Sequence, residues 1–273
     1  MKSFVEKKLR KSGGFTLVEM AVVLVIIGLI LAAVSIGKDV QRNAEYAKIK
    51  QKFIDQWAVA YNTYVQRTGF PIADMQQEPR YMINGANYNP GIGQGQVVSG
   101  GDMTTVTAPL AICHGAVGPK MVRGMQGNGN DDFDLRNLMQ RAGVRMPPGR
   151  AEGREDRYVY LDSNGNPQEI QVCFQWNNPQ MAEGAGNVMV ITGLTPDLAR
   201  YLDQSIDGKP DAREGMFRQQ GVSNDTQNVA GVEWNTNNTW QYGSGSTATG
   251  QEMGRQRDED QVETVVAIYK MNQ

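Results

Sequence analysis

The sequence predicts an α+β protein in which one unusually long N-terminal helix precedes a head built on an antiparallel sheet. Three observations predict it. From Phe15 to Thr68 an apolar run passes into an amphipathic stripe with no proline to interrupt it. The stretch "YVYLDSNGNPQEIQVCFQW" has the pattern of a β-hairpin, with Asn164-Gly165 at its turn. Two further β-rich runs, 187–194 and 262–270, supply additional strands.

Composition sets the outer limits. With 273 residues, 40 % apolar and 21 % charged, the chain can bury a sizeable core and is not a disordered segment. The formal net charge of −2 is unevenly spread. Residues 1–14 carry Lys2, Lys7, Lys8, Arg10 and Lys11 against Glu6, a net of +4, which leaves −6 on the remainder. An acidic remainder argues against a general nucleic-acid-binding surface.

The first element is the apolar run. The eighteen residues from Met20 to Gly37 carry no charge. With 15–18 in front they reach the roughly 20 residues that a membrane-spanning helix requires. The preceding basic cluster orients the span, head group of lysines in the cytoplasm and the rest translocated. A secretory signal would have a shorter apolar core and a small-residue cleavage site. "LAAVS" has that composition, so cleavage there and a simple one-pass anchor are the alternatives. Glu19 discriminates among them, because a carboxylate at mid-membrane costs around 2.5–3.5 kcal/mol and is kept only where it has a partner or a task.

Gly13-Gly14-Phe15-Thr16-Leu17-Val18-Glu19 resembles the processing site of type IV prepilins and type II secretion pseudopilins, a glycine followed by F-T-L-x-E. The resemblance implies that prepilin peptidase cuts after Gly14 on the cytoplasmic side and N-methylates the new N-terminus, Phe15. It implies that Glu19 pairs with the N-terminal amine of a neighbouring subunit during assembly. Opposite charges attract strongly in a low dielectric, and either alone is left uncompensated. The helix-bending proline of many major pilins is replaced here by Val34-Ser35-Ile36-Gly37. Gly28 and Gly37 are the weak points of this helix, and a break near Gly37 is the alternative to continuity.

Beyond Gly37 the helix turns amphipathic. Val40, Ala47, Ile54 and Tyr61 recur every seven residues, followed four behind by Ala44, Ala58 and Val65, with Gln51 as the polar break. Ile49, Phe53, Trp57 and Tyr64 form a second row. Gly69 and Pro71 end the element. About 54 residues at 1.5 Å each give a helix on the order of 80 Å. The predicted organisation is therefore a cleaved leader at 1–14, a helix at 15–70 that spans the membrane over 15–37, and a head at 71–273. In the family resembled, the outer half of the helix packs on an antiparallel sheet and the inner half forms the filament core.

Within the head, 84–102 and 114–130 are glycine-rich and read as loops. Residues 131–142 form a short helix with acids in its first turn. Strands fall near 158–161, 170–176, 187–194 and 262–270, and Thr195-Pro196-Asp197 opens a second helix. Residues 217–260, rich in Asn, Gln, Gly, Thr and Ser, read as surface.

Chemistry is sparse. "GIGQGQ" lacks the strand and the Gly-Lys-Ser of a phosphate loop. The single histidine, His114, adjoins Cys113 in a loop, where a catalytic dyad has no orienting third group, so no enzymatic activity is expected. Cys113 and Cys173 are spaced wrongly for a CxxC or zinc site. They are two buried thiols or, if the head is exported, one disulfide. Asp162, Asn164 and Asn166 have the alternate spacing of a calcium loop, but Pro167 stands where glycine is wanted, so a plain turn is expected. Asp203, Asp207 and Asp211 with Gly208 resemble the aspartate–glycine loops of minor pilins and pseudopilins, some of which bind calcium. A capped, solvated turn is the default there, and no other cofactor is expected.

The resemblance implies a structural subunit that polymerises with copies of itself or related subunits. Its partners would be prepilin peptidase, an inner-membrane assembly platform, and membrane lipid before assembly. The head would lie in the periplasm first and then in an extracellular or periplasmic filament. A pilus would serve adhesion, motility or DNA uptake; a pseudopilin would drive protein export. A head of about 200 residues suggests a minor or specialised subunit, and Glu19 argues against a secretion-system tip subunit, which typically lacks that acid. A membrane-anchored periplasmic binding domain that never polymerises is the reading from a different class.

Overall fold

The computed structural model describes residues 15–87, 109, 112, 135–223, 230–235 and 264–271. Gly14, Cys113, His114 and most of the expected loops at 84–102, 114–130 and 217–260 lie outside them. The chain divides into two compact units, residues 1–45 and 46–273. In the first unit the described residues are helical from Leu17. This helix, α1 (Leu17–Ile49), runs through Gly28 and Gly37 without interruption. The expected weak point is not where the helix departs from regularity.

The departure comes at Lys50–Ile54, a π-helical turn, after which α2 (Asp55–Thr68) resumes. Here the Asp55 N–H reaches back to the Lys50 carbonyl, five residues away. The same spacing brings Lys50 Nζ to 2.9 Å from both Asp55 carboxylate oxygens. A π turn inserts one extra residue into the helical repeat, so Phe53 and Ile54, neighbours in sequence, are both fully buried. It also resets the buried face. Tyr46, Ile49, Phe53, Trp57, Ala60, Tyr61 and Tyr64 are buried, whereas Val40 and Ala44 of the expected heptad row are exposed. The aromatic row is buried throughout, whereas the heptad row is buried only further along, where Ile54 and Tyr61 are fully buried. Gly69 closes α2 in the left-handed conformation (φ 81°), its N–H donating to the Val65 carbonyl, a backbone shape that costs glycine least.

The head sheet is antiparallel, with strand order β1-β2-β3-β5-β4. Its strands are β1 (Arg157–Leu161), β2 (Pro167–Asn177), β3 (Gly186–Leu194), β4 (Phe217–Gln219) and β5 (Val265–Lys270). The hairpin β1–β2 turns at 162–166, where Asp162 Oδ1 accepts the N–H groups of Asn164 and Asn166 and Oδ2 accepts the Gln168 amide. That is the hairpin turn expected at Asn164-Gly165. One face of the sheet meets the second half of the long helix. Tyr61 stacks on Phe174 at 5.3 Å, Trp57 packs on the same ring at 5.9 Å, and Phe53 meets Tyr158 at 5.4 Å. The Trp57 indole donates to the Glu155 carbonyl at 3.2 Å, as a buried indole requires. The opposite face buries Cys173, Val188, Val190, Val266 and Ile268, so this antiparallel sheet is covered on both sides.

Past β1 the edge of β2 is paired by Ile112, which bridges Phe174. Two short helices complete the described head. α3 (Leu135–Arg141) lies in the expected 131–142 stretch. α4 (Pro196–Asp207) begins as predicted, with Thr195 Oγ1 accepting the Leu198 N–H and proline in the first turn. β4 and residues 230–235 are not the polar surface that composition suggests. Phe217 and Trp234 are fully buried and pack ring to ring at 5.3 Å.

Candidate functional site

At the start of α1 the sequence Thr16-Leu17-Val18-Glu19 folds into a reciprocal cap. The Glu19 N–H donates to Thr16 Oγ1 at 3.3 Å. In return, Glu19 Oε2 accepts the Thr16 N–H at 2.8 Å and its hydroxyl at 2.9 Å. A helix leaves its first N–H groups without intrahelical partners, and a Thr-x-x-Glu box satisfies two of them at once. The acid also faces the positive end of the helix dipole. Glu19 thus has a partner inside its own chain. The signal for it, threonine three residues ahead of glutamate before an apolar run, is present in the sequence.

The rest of the segment is apolar on every side. Fourteen large apolar side chains between Leu17 and Ile36 are exposed. Each is worth about 1.5–3 kcal/mol when withdrawn from water, so the segment gains on the order of 20 kcal/mol or more from an apolar environment. That gain far exceeds the cost of one carboxylate near an interface. The helix Leu17–Thr68 is long and apolar enough to cross a membrane. Phe15, the expected first mature residue, is exposed next to this cap.

Each of the three aspartates considered for calcium accepts hydrogen bonds from protein donors, while Asp203 Oδ1 and Asp211 Oδ2 are buried without a hydrogen-bond partner among the described residues. Asp203 Oδ2 accepts the Trp234 indole at 2.7 Å, and Asp207 Oδ2 accepts the N–H groups of Met216 and Phe217 at 2.8 Å. Asp211 Oδ1 accepts the N–H groups of Arg213 and Val232, and its Oδ2 lies 3.1 Å from Lys209 Nζ. Among the described residues no group of three or more His, Cys, Asp or Glu side chains is arranged to hold a metal ion. The aspartates link α4, β4 and the Trp234 segment through these hydrogen bonds. Burial, opposed by the Trp234 hydrogen bond and reinforced by the Asp207 charge, pushes the Asp203 carboxyl up to about 7.

Cys173 lies in β2 as expected, and its sulfur is 3.2 Å from the Ile112 carbonyl oxygen. A long apolar helix with an acid in its first turn, set before an antiparallel α+β head, is the architecture of a pilin-like subunit. Residues 9–35 match the family model described as the prokaryotic N-terminal methylation motif, so this chain carries the type IV pilin and pseudopilin signature. Neither the curated proteins nor the solved structures give a match to the chain.

Proposed function

We propose that the chain is a structural subunit of a type IV pilus or related filament, cut after Gly14 by prepilin peptidase, N-methylated on Phe15 and polymerised through α1. One observation carries the reading. Residues 17–36, overlapping the methylation motif matched at 9–35, present apolar side chains on all sides, suited to lipid before assembly and to burial among several like helices after it. Before assembly this segment sits in the inner membrane with the head in the periplasm. The assembly platform extracts it, and filament neighbours then replace lipid. In the filament, Glu19 meets the amine of an adjacent Phe15. A pilus of this kind serves adhesion, motility or DNA uptake. The same segment would serve a secretion pseudopilin, and the composition of purified surface fibres separates the two.

The test is the intact mass of the protein recovered from fibres or membranes. The expected mass lacks residues 1–14 and carries one added methyl group, and a bulky residue in place of Gly14 leaves the leader attached. Recovery of the full-length mass from cells that possess the peptidase would refute the processing step.

A further inference from the structure

The far end of the sheet holds two cations, and among the described residues no acid is paired with either. Arg218 of β4 stands opposite Ile268 of β5, and Lys270 is two residues further along the same strand, opposite Val188 of β3. Side chains directly across a ladder share a face, as do alternate residues of one strand. Arg218 and Lys270 therefore stand together on the face that buries Val188 and Ile268. The turn between β2 and β3 runs beside them. Arg218 Nη1 donates to the Glu183 carbonyl at 3.3 Å and Nε to the Gly215 carbonyl at 2.7 Å.

Both cations converge over Gly184. A Cβ at that position would lie 2.9 Å from Lys270 Nζ and 3.3 Å from Arg218 Nη1. Its φ of 104° is one that side-chain-bearing residues rarely adopt, so the space in front of the two nitrogens stays clear of any side chain from this position. Among the described residues no ion pair involves either cation. The nearby acids are engaged elsewhere: Glu183 Oε2 accepts the Gly221 N–H, Glu214 pairs with Lys209, and Asp207 accepts two backbone N–H groups. The Lys270 ammonium makes no hydrogen bond among these residues, its main-chain N–H alone donating, to the Met216 carbonyl at 2.8 Å. Partial burial, and then the Arg218 charge, hold its ammonium below the usual lysine range.

Two like charges brought together and partly desolvated are unfavourable until a counter-charge sits between them. A guanidinium fork with a mobile ammonium beside it matches a group with several acceptor oxygens. We propose that Arg218 and Lys270, converging over Gly184, form a binding site for an oxyanion, a phosphate or carboxylate group. It comes either from a small molecule in solution or from an acidic side chain of a neighbouring copy in an acidic filament. The second source rests on the filament reading; the first does not.

Lys270→Gln is the discriminating variant, because Lys270 makes no hydrogen bond that the change would break, whereas Arg218 also supports two loops. The full chain in detergent micelles is titrated with inorganic phosphate at constant ionic strength, following the Arg218 Nε–H resonance. The expected result is a saturable shift that weakens about tenfold or more in Lys270→Gln, the loss of one charge-assisted contact. In parallel, a carbodiimide is applied to filaments or concentrated micelles, and peptide mapping seeks an amide from Lys270 to an acid of a second copy. Saturable, Lys270-dependent phosphate binding supports a free oxyanion. Silence toward phosphate with a Lys270 cross-link supports the neighbour's carboxylate. A phosphate response unchanged in Lys270→Gln, or neither signal, overturns the site. Because the phosphate arm needs no assembly, failure to polymerise and failure of the site are read separately.

Discussion

Glu19→Gln separates the two tasks that converge on one side chain. Glutamine keeps the carbonyl oxygen that accepts the Thr16 N–H and hydroxyl, now at 2.8 and 2.9 Å, and serves in a capping box as glutamate does. Only the charge is removed. If Glu19 acts as a helix cap alone, the variant assembles like the wild type, and Thr16→Ala, which removes the hydroxyl half of the box, costs about 1 kcal/mol. If the carboxylate also neutralises a neighbouring amine in the apolar interior of a filament, its loss leaves that amine buried and unpaired, at a cost of about 3–5 kcal/mol. Per subunit, that is a loss in incorporation of roughly 10²-fold to several thousand-fold. The assay is competitive incorporation of tagged wild-type and variant subunits into sheared fibres, with leader cleavage followed by mass as an internal control. The expected order is wild type, then Thr16→Ala slightly reduced, then Glu19→Gln and Glu19→Ala both strongly reduced while still processed. A Glu19→Gln subunit incorporated at the wild-type level would refute the charge-pairing account and leave the cap as the whole role.

Two further outcomes test the head. The folded Asp203 carboxyl, at about 7, lies above its unfolded value, so the fold holds an extra proton between the two; this contribution is best at low pH and is lost as pH rises to about 7. Asp203→Asn keeps an acceptor for the Trp234 indole and cannot ionise, so its stability relative to wild type in thermal unfolding should rise by on the order of 3 kcal/mol from about pH 4 to about pH 8; no such pH-dependent difference would refute the buried-acid reading. A Cys113–Cys173 disulfide is proposed on the bridge that seats Ile112 beside Phe174; it would stabilise the fold by about 4 kcal/mol in the chain-entropy model, and reduction should add the mass of two hydrogens, a constant mass speaking against it.

Elements governed by near neighbours were legible from residues alone. Thr195-Pro196-Asp197 starts α4 because a hydroxyl cap, a fixed φ and an acid at the dipole all act within one turn. Asn164-Gly165 turns the hairpin for the same local reason. The Thr16–Glu19 cap belongs to this group, since its spacing is written in the sequence. β4 was not legible, because three residues are too few to display a period of two. Its place depends on pairing with β5, some fifty positions later. The π turn was equally silent: nothing in Lys50–Ile54 marks it, and it exists because Phe53 and Ile54 can then both reach the core.

By itself the sequence determined the long apolar helix, its acid near the start, its end at Gly69, and the antiparallel hairpin of the head, all set by hydropathy, capping and turn chemistry over a few residues. The tertiary structure alone decided where along the amphipathic helix burial begins, with Val40 and Ala44 exposed and Ile54 and Tyr61 inside. It joined Asp203 to Trp234 across 31 positions and brought Arg218 and Lys270 together over Gly184. Such meetings arise from long-range packing, where the position of a side chain depends on the whole sheet and on no pattern within its own segment.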